Sequence, residues 1–354
     1  MLTKATPRGI VRPNHRIIAV EVPYSRQTKL DFTPFLLPTK MIVCKTPLSP
    51  PSTDFLTCRG YIGFTPIEIG SRGSVYQTSK DGHLLAVKVF HISAVTEVAL
   101  AALVRELSIL QSVRHPNCQR VVESMRTTKC SKVYIVMEPF LSPGATMHSV
   151  VTNFGPLCEW NVKTWFPPIA LAIRYLHHSK IAHLNLSLNS ILLDEHYNPY
   201  VTDYARIGEL ASGGPVALPK AYSSPQMLQK SPFNRFKQDV WSLGAVFFTM
   251  LNKEEPFSES DTDENVYAKM LAKSFQLTPH VEAKVSSTAK ELIQETLEPD
   301  EEKRASTETL CKHLWMPAVF GEAQMVITQM ENEYREEAFK KIAQPASDQP
   351  PQKQ

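Results

Sequence analysis

Several things are scarce in this chain of 354 residues. Its six cysteines, Cys44, Cys58, Cys118, Cys130, Cys158 and Cys311, form no Cys-x-x-Cys pair and no close cluster with histidine, which argues against a zinc site and a disulfide framework. Such scatter suits a reducing compartment. No apolar run approaches the ~20 residues of a spanning helix, and the start MLTKATPRGIVRPNH lacks a continuous apolar signal core. Neither a membrane nor secretion is expected. Charge of one sign is also in short supply: 38 Lys and Arg against 35 Asp and Glu leave +3, too weak a balance to imply nucleic acid. Charged residues at 21% and hydrophobic ones at 43% exclude a wholly disordered, collagen-like or coiled-coil chain. At this length a core is easily buried, so the expectation is one soluble body with tails, in the cytoplasm or, as the alternative, the nucleus.

What is present is unevenly spread. Residues 1–57 read as a separate basic extension, mostly disordered: Lys4, Arg8, Arg12, Arg16, Arg26 and Lys29 face only Glu21 in the first thirty positions, and prolines recur throughout. Pro7 and Pro13 spoil the amphipathic helix that a mitochondrial presequence needs. From about residue 60 the pattern changes. YIGFTPIEIGSRGSVYQ, HLLAVKVF and KVYIVMEPF are β-branched and aromatic runs parted by turn residues, and predict antiparallel strands. Between the last two, TEVALAALVRELSILQSV repeats Leu103, Leu107 and Leu110 at helical spacing. Beyond Gly144, apolar periodic stretches at 160–177, 236–252, 287–297 and 306–313 predict helices. Pro167 and Pro168 should confine the first of these to residues after 166. Near the end, 321–343 predicts a further helix with Ile327, Met330 and Tyr334 on one side, packed back on the body, before a polar, proline-rich tail.

The order of several motifs resembles the eukaryotic protein kinase domain over roughly residues 60–316. VRELSILQSVRHPN (104–117), DVWSLG (239–244), EEPF (254–257) and LEPDEEKRAST (297–307) are similar to the calcium/calmodulin-kinase group, with phrasing most like the testis-specific serine/threonine kinases. The resemblance implies an α+β, bilobal fold over 58–318, with a small β-rich N-lobe to about 138 and a larger α-rich C-lobe from about 139, followed by the helix and tail of 319–354. It also implies an ATP and magnesium site. In EIGSRGSV, Gly70 and Gly73 match two glycines of the phosphate loop, where backbone amides approach a nucleotide, but Glu68 stands at the first. Val75 and Ala86 match residues that cover the adenine, and equally suit a plain strand core. Lys88 matches the lysine of the α- and β-phosphates, and Glu106 the helix carboxylate that pairs with it. Met137 and Glu138 match the start of the hinge, and Leu192 belongs to the same implied nucleotide set.

The segment HLNLSLNSILL (183–193) stands where that family has its catalytic loop. His183 is kept. Asn185 occupies the position of the catalytic aspartate, and a neutral amide is no base near pH 7. Leu184 replaces the arginine that receives an activation-loop phosphate, Ser187 the lysine on the γ-phosphate, and Ser190 the metal-binding asparagine, leaving a poor metal ligand. Asp203 in VTDYARIG matches the magnesium-binding aspartate, with Tyr204 and Ala205 after it. In LPKAYSSPQ, Pro219 replaces a donor threonine and Gln226 a glutamate whose ion-pair partner matches Arg304. A Gln keeps a hydrogen bond to Arg304 without the charge. Scaffolding positions (His183, Asp239, Trp241, Gly244, Arg304) match, and phosphoryl-moving ones mostly do not. Asp239 is expected to cap a helix and anchor the catalytic loop.

The leading expectation is therefore a pseudokinase, a protein-binding scaffold or allosteric regulator that binds ATP and Mg2+ weakly if at all. Its partner is expected to be a protein, another kinase or its substrate among the candidates. The alternative is a weakly active serine/threonine kinase working through Lys88, Glu106 and Asp203, since phosphoryl transfer depends mainly on positioning and charge. A second alternative is a structural interaction module that binds no nucleotide.

Overall fold

The computed structural model describes residues 53–70, 73–91, 107–108, 110–127, 132–138, 146–194, 197–203 and 218–316. The β-branched runs form strands β1 (Ile62–Gly70), β2 (Gly73–Lys80), β3 (His83–His91), β4 (Val121–Thr127) and β5 (Lys132–Met137) of one antiparallel sheet, in the order β1-β2-β3-β5-β4. The β2–β3 hairpin turns on Asp81-Gly82, both at positive φ (51° and 78°), the pair of left-handed residues that matches the twist of the flanking strands. Strand alternation then sends Val75, Ala86, Ile135 and Met137 to one face and Tyr76, Val87, Tyr134 and Val136 to the other. The second face packs on Leu56, which is fully buried in the short helix α1 (Thr53–Thr57), and Phe55 stacks on Tyr134 at 5.3 Å. Phe55 and Leu56, assigned to the extension by composition, thus pack against the sheet. β4 was not evident as a strand because Glu123, Ser124 and Arg126 dilute its apolar character at the sheet's edge.

Leu107 and Leu110 are buried in a helical stretch, as their spacing predicts. After the sheet the chain is mainly helical: α2 (Met147–Phe154), α3 (Glu159–His178), α4 (Pro225–Leu228), α5 (Arg235–Asn252), α6 (Asp263–Leu271), α7 (Pro279–Glu282), α8 (Ser287–Thr296) and α9 (Thr307–Cys311). A small hairpin, β6 (Ile191–Leu193) with β7 (Pro199–Val201), interrupts them. The fold is α+β with a β-rich part followed by an α-rich one, as expected. α5 is the centre of the helical part, for every residue from Gln238 to Asn252 is buried. Its Gly244 lies so close to α8 that a Cβ there would sit 2.5 Å from Thr296 Oγ1 and 2.8 Å from Thr296 Cβ. This glycine is required by close approach rather than by φ.

Two expectations need correction here. α3 does not start after residue 166; it runs unbroken through Pro167 and Pro168. The two prolines deprive the carbonyls of Lys163 and Thr164 of their helical donors, and these residues lie on the half-exposed and exposed side of the helix, open to solvent. The opposite side buries Val162, Trp165, Phe166, Ile169, Ile173 and Leu176, several kcal/mol of apolar burial at roughly 1.5–3 kcal/mol each. That burial outweighs about 3 kcal/mol for an interior proline. Asp239 does not cap α5 either. The N-cap is Asn234, whose side chain accepts from Phe236 N and Lys237 N, and Asp239 lies one turn inside. The expected basic extension up to residue 52 and the expected helix at 321–343 lie outside the described residues.

Candidate functional site

Lys88, midway along β3 between the Ala86–Met137 and Phe90–Val133 pairs of the register, reaches across to Asp203 just after β7. Its Nζ donates to Asp203 Oδ1 at 2.6 Å, a charge-assisted bond with Lys88 mostly shielded and Asp203 about two-fifths exposed. β7 is itself fixed by main-chain bonds from Val201 N to Asn117 O (2.7 Å) and from Gln119 N to Val201 O (2.9 Å). These set where Asp203 emerges, and Asp203 leaves the strand at φ 59°, a left-handed conformation that a non-glycine residue holds only when its surroundings impose it. Two positions some 115 residues apart in sequence are thus brought into direct contact.

Around them, Val75, Ala86 and Met137 lie buried on the same face of the sheet, and Gly70 pairs with Gly73 across the β1–β2 end. Leu192 is half-buried in β6 and bridges to Thr146 ahead of α2. The backbone of Glu138 is engaged with the segment behind it: its N–H donates to Arg120 O at 3.1 Å and its carbonyl accepts from Gln119 Nε2 at 3.4 Å. Glu106, the Glu68 side chain, Tyr204 and Ala205 lie outside the described residues, so the expected Lys88–Glu106 pair does too.

The loop from 183 to 190 is shaped from behind by Asp239. Its buried carboxylate accepts from His183 N (2.7 Å, Oδ2), from Leu184 N (2.8 Å, Oδ1) and from His177 Nε2 (2.8 Å, Oδ2). Leu184 is held at φ 57° by this clamp. The anchoring role expected of Asp239 is therefore its actual one. His177, which sequence reasoning missed, links the clamp to α9 through Nδ1 and Thr307 Oγ1 at 3.1 Å. A histidine at the end of an apolar helix reads as an ordinary helix-end residue, so nothing in the sequence pointed to it.

His183 is fully buried, and burial pushes its pKa below the usual imidazole value against the opposing pull of Asp239 and Asp203. Its Nδ1 accepts from Asn185 N at 3.1 Å, which the neutral ring allows. That bond places Asn185, half-buried, on the loop at the position where a base was expected. Ser190 is engaged within its own loop. Its buried hydroxyl donates to Ser187 O (3.0 Å) and accepts from Ser187 N (2.9 Å), closing a one-turn 3-10 helix, Leu188–Ser190, on itself. Pro219 likewise supplies only its carbonyl, to Tyr222 N and Ser223 N.

Arg304 is 1% exposed and lies 5.1 Å from the Trp241 ring. Its guanidinium donates to Gln226 Oε1 (3.0 Å) and to the carbonyls of Glu298, Lys237 and Pro299, while Gln226 Nε2 donates to Pro299 O (2.8 Å). The Gln keeps the hydrogen bond, as expected. Burial pushes the Arg304 pKa down to about 10, partly opposed by Glu301 and Glu298.

As a cradle for Mg-ATP, this donor set fits unevenly. One ammonium and one hard carboxylate oxygen, Lys88 and Asp203, suit a phosphate and a divalent cation that keeps several waters. The hydroxyl of Ser190 is already committed at both its proton and a lone pair, so it adds little.

Comparison with known proteins agrees with the arrangement. The protein kinase domain family matches residues 64–316. Testis-specific serine/threonine-protein kinase 3 of Mus musculus is 30% identical over 279 residues, covering 74% of this chain and 98% of its own length. CBL-interacting serine/threonine-protein kinase 7 of Arabidopsis thaliana is 30% identical over 244 residues, 66% of this chain and 54% of its own. With the five-stranded sheet, the helical part and the Asp239-clamped loop following in that order, the chain belongs to the protein kinase family.

Proposed function

We propose that this chain is a pseudokinase, a kinase-fold module that regulates or scaffolds a protein partner and transfers phosphate poorly or not at all. The observation that carries the reading is the state of the 183–190 loop: the main chain of its first two residues is held by Asp239, yet Asn185 stands at the position of the base and the Ser190 hydroxyl is turned onto Ser187. General-base help is worth roughly 100- to 10,000-fold, and here it is lost together with a metal ligand and the Ser187-position cation. ATP with magnesium, when bound, brings the phosphoryl group and the charge that neutralises it. Lys88 would hold the phosphates and Asp203 the cation, the bond between them using one ammonium proton and one carboxylate oxygen. With the Ser190 hydroxyl committed to Ser187, binding is weak and the benefit of magnesium modest.

The retained Lys88–Asp203 contact also favours the second reading, a slow serine/threonine kinase. Two measurements on the purified chain separate them: transfer of labelled γ-phosphate to peptides, and melting-temperature shift with millimolar Mg-ATP. The pseudokinase predicts no transfer, with a small shift lost in Lys88→Ala and Asp203→Ala. Transfer that disappears in Lys88→Ala refutes it, and no shift at all leaves a module without nucleotide.

A further inference from the structure

Residues 218–224, which lead into α4, are held from two sides by bonds of different kinds. On the inner side α5 grips them through buried neutral groups. Gln238 Nε2 and Ser242 Oγ both donate to Tyr222 O at 2.8 Å, Trp241 Nε1 donates to Ala221 O at 3.3 Å, and Ser224 N donates to Gln238 Oε1 at 2.9 Å. On the outer side Lys220 supplies the bonds, and they are charge-assisted. Its N–H donates to Glu259 Oε2 (2.7 Å), and its Nζ donates to Asp261 O (2.5 Å) and pairs with Asp263 Oδ1 at 3.0 Å. The Lys220 side chain is mostly shielded while that of Asp263 is open to solvent, so dissolved salt reaches the pair from one side.

The acceptors belong to a part of the fold with little else to hold it. α6 begins at Asp263 and buries only Val266 and Met270 of its nine residues. Asp261 is bonded from within α6 by Lys269, whose Nζ lies 2.6 Å from Oδ2, so Lys220 and Lys269 tie the same turn from opposite sides. Glu259 has a second position of interest. It lines a cavity of about 440 Å³ whose other walls include Val151 of α2, Leu188 of the 183–190 loop, Thr249 and Phe257. The residue that holds Glu259 therefore fixes one wall of a cavity beside that loop.

We propose that Lys220 is a charge-operated latch. Closed, it joins residues 218–223, the turn at 258–262 and the first turn of α6 into one unit and keeps Glu259 on the cavity wall. With the ammonium charge removed or screened, the turn and α6 part from the segment, while α5 keeps its inner grip on Ser224. An exposed ion pair alone contributes little, but this ammonium is shielded and bonded to a main-chain carbonyl as well as a carboxylate, the arrangement in which one charge counts. Local opening of this kind follows from the few apolar contacts of α6, since segments of low buried area open without the rest of the domain.

Native-state hydrogen exchange of the full chain, followed residue by residue, tests the latch. Lys220→Met keeps most of the aliphatic stem and removes the charge. In it the amides of Tyr222 and Ser223 and those of Asn265 and Val266 in α6 exchange faster by a common factor of about three to ten, while Ser224 and α8 keep the parental rates. Lys220→Arg, which retains the charge, retains the protection. In the parent, about 0.5 M sodium chloride reproduces the acceleration, and it adds nothing in the Lys220→Met chain. Unchanged exchange in Lys220→Met overturns the proposal, as does acceleration confined to Tyr222 and Ser223, which leaves α6 held by other contacts. Acceleration shared equally by α5 and α8 also overturns it, because it reports a loss of global stability. A parent that salt leaves unaltered overturns the charge as the operating part.

Discussion

His115 offers a single-residue test of how the loop behind the sheet is held. Its ring lies 5.2 Å from that of Tyr175, and its Nδ1 accepts from Asn117 N at 3.1 Å, a bond that exists only while that nitrogen is unprotonated. Burial, and then the charge of Arg174, lower its pKa from 6.5 to about 4. The folded protein therefore prefers the neutral ring, and the resulting stability is complete above pH 6.5 and drains away as pH falls toward 4. For one group with those two values, the loss between pH 7 and pH 5 is about 2 kcal/mol. In a domain of this size that is roughly 4–8 °C of melting temperature. His183 drains stability in the same direction, so the quantity to compare is a difference between chains. His115→Asn keeps an acceptor for Asn117 N and cannot titrate. It should cost about 1 kcal/mol at pH 7 through the lost ring contact, yet lose about 2 kcal/mol less than the parent when taken from pH 7 to pH 5. Urea unfolding at both pH values measures this directly. Equal pH sensitivity in the two chains would show that His115 is not held neutral, and the reasoning fails.

Two further perturbations probe the scaffold. Gly244→Ala gains up to about 1 kcal/mol of helix propensity but forces a Cβ into Thr296, and should destabilise by about 1–3 kcal/mol net; unchanged urea unfolding would mean that α5 and α8 are not in contact as described. Gln226→Glu gives Arg304 a carboxylate and loses the bond to Pro299 O, for a net gain of about 1 kcal/mol at neutral pH that vanishes once the new carboxylate is protonated, read by thermal melts at two pH values.

Much of this molecule could be read before its structure was seen, for identifiable reasons. Long, strongly apolar elements announced themselves: β2, β3 and β5 through their β-branched runs, and α5 through its unbroken apolar character. Short amphiphilic elements did not. β4 is diluted by polar residues, and α6, DENVYAKML, buries only Val266 and Met270, too few to establish a period. The prolines of α3 misled because the rule against interior proline is a local cost, while the packing that overrides it is spread over the whole buried side of the helix, Pro167 included. At the site, the resemblance to the kinase motifs singled out Lys88, Asp203, Asn185 and Ser190. It could not tell that Lys88 and Asp203 touch, or that Ser190 bonds to Ser187, because both are facts of approach between backbone segments.

The Asp239 clamp bears on recognition. The carboxylate that dictates the path of residues 183–184 belongs to a helix outside the loop, and Ser187 and Ser190 close the loop's end by themselves. A binder that reads the loop by its main-chain contour therefore reads Asp239, Ser187 and Ser190. One that reads the loop by its side chains must instead touch residues such as Leu184, whose main chain alone meets the clamp.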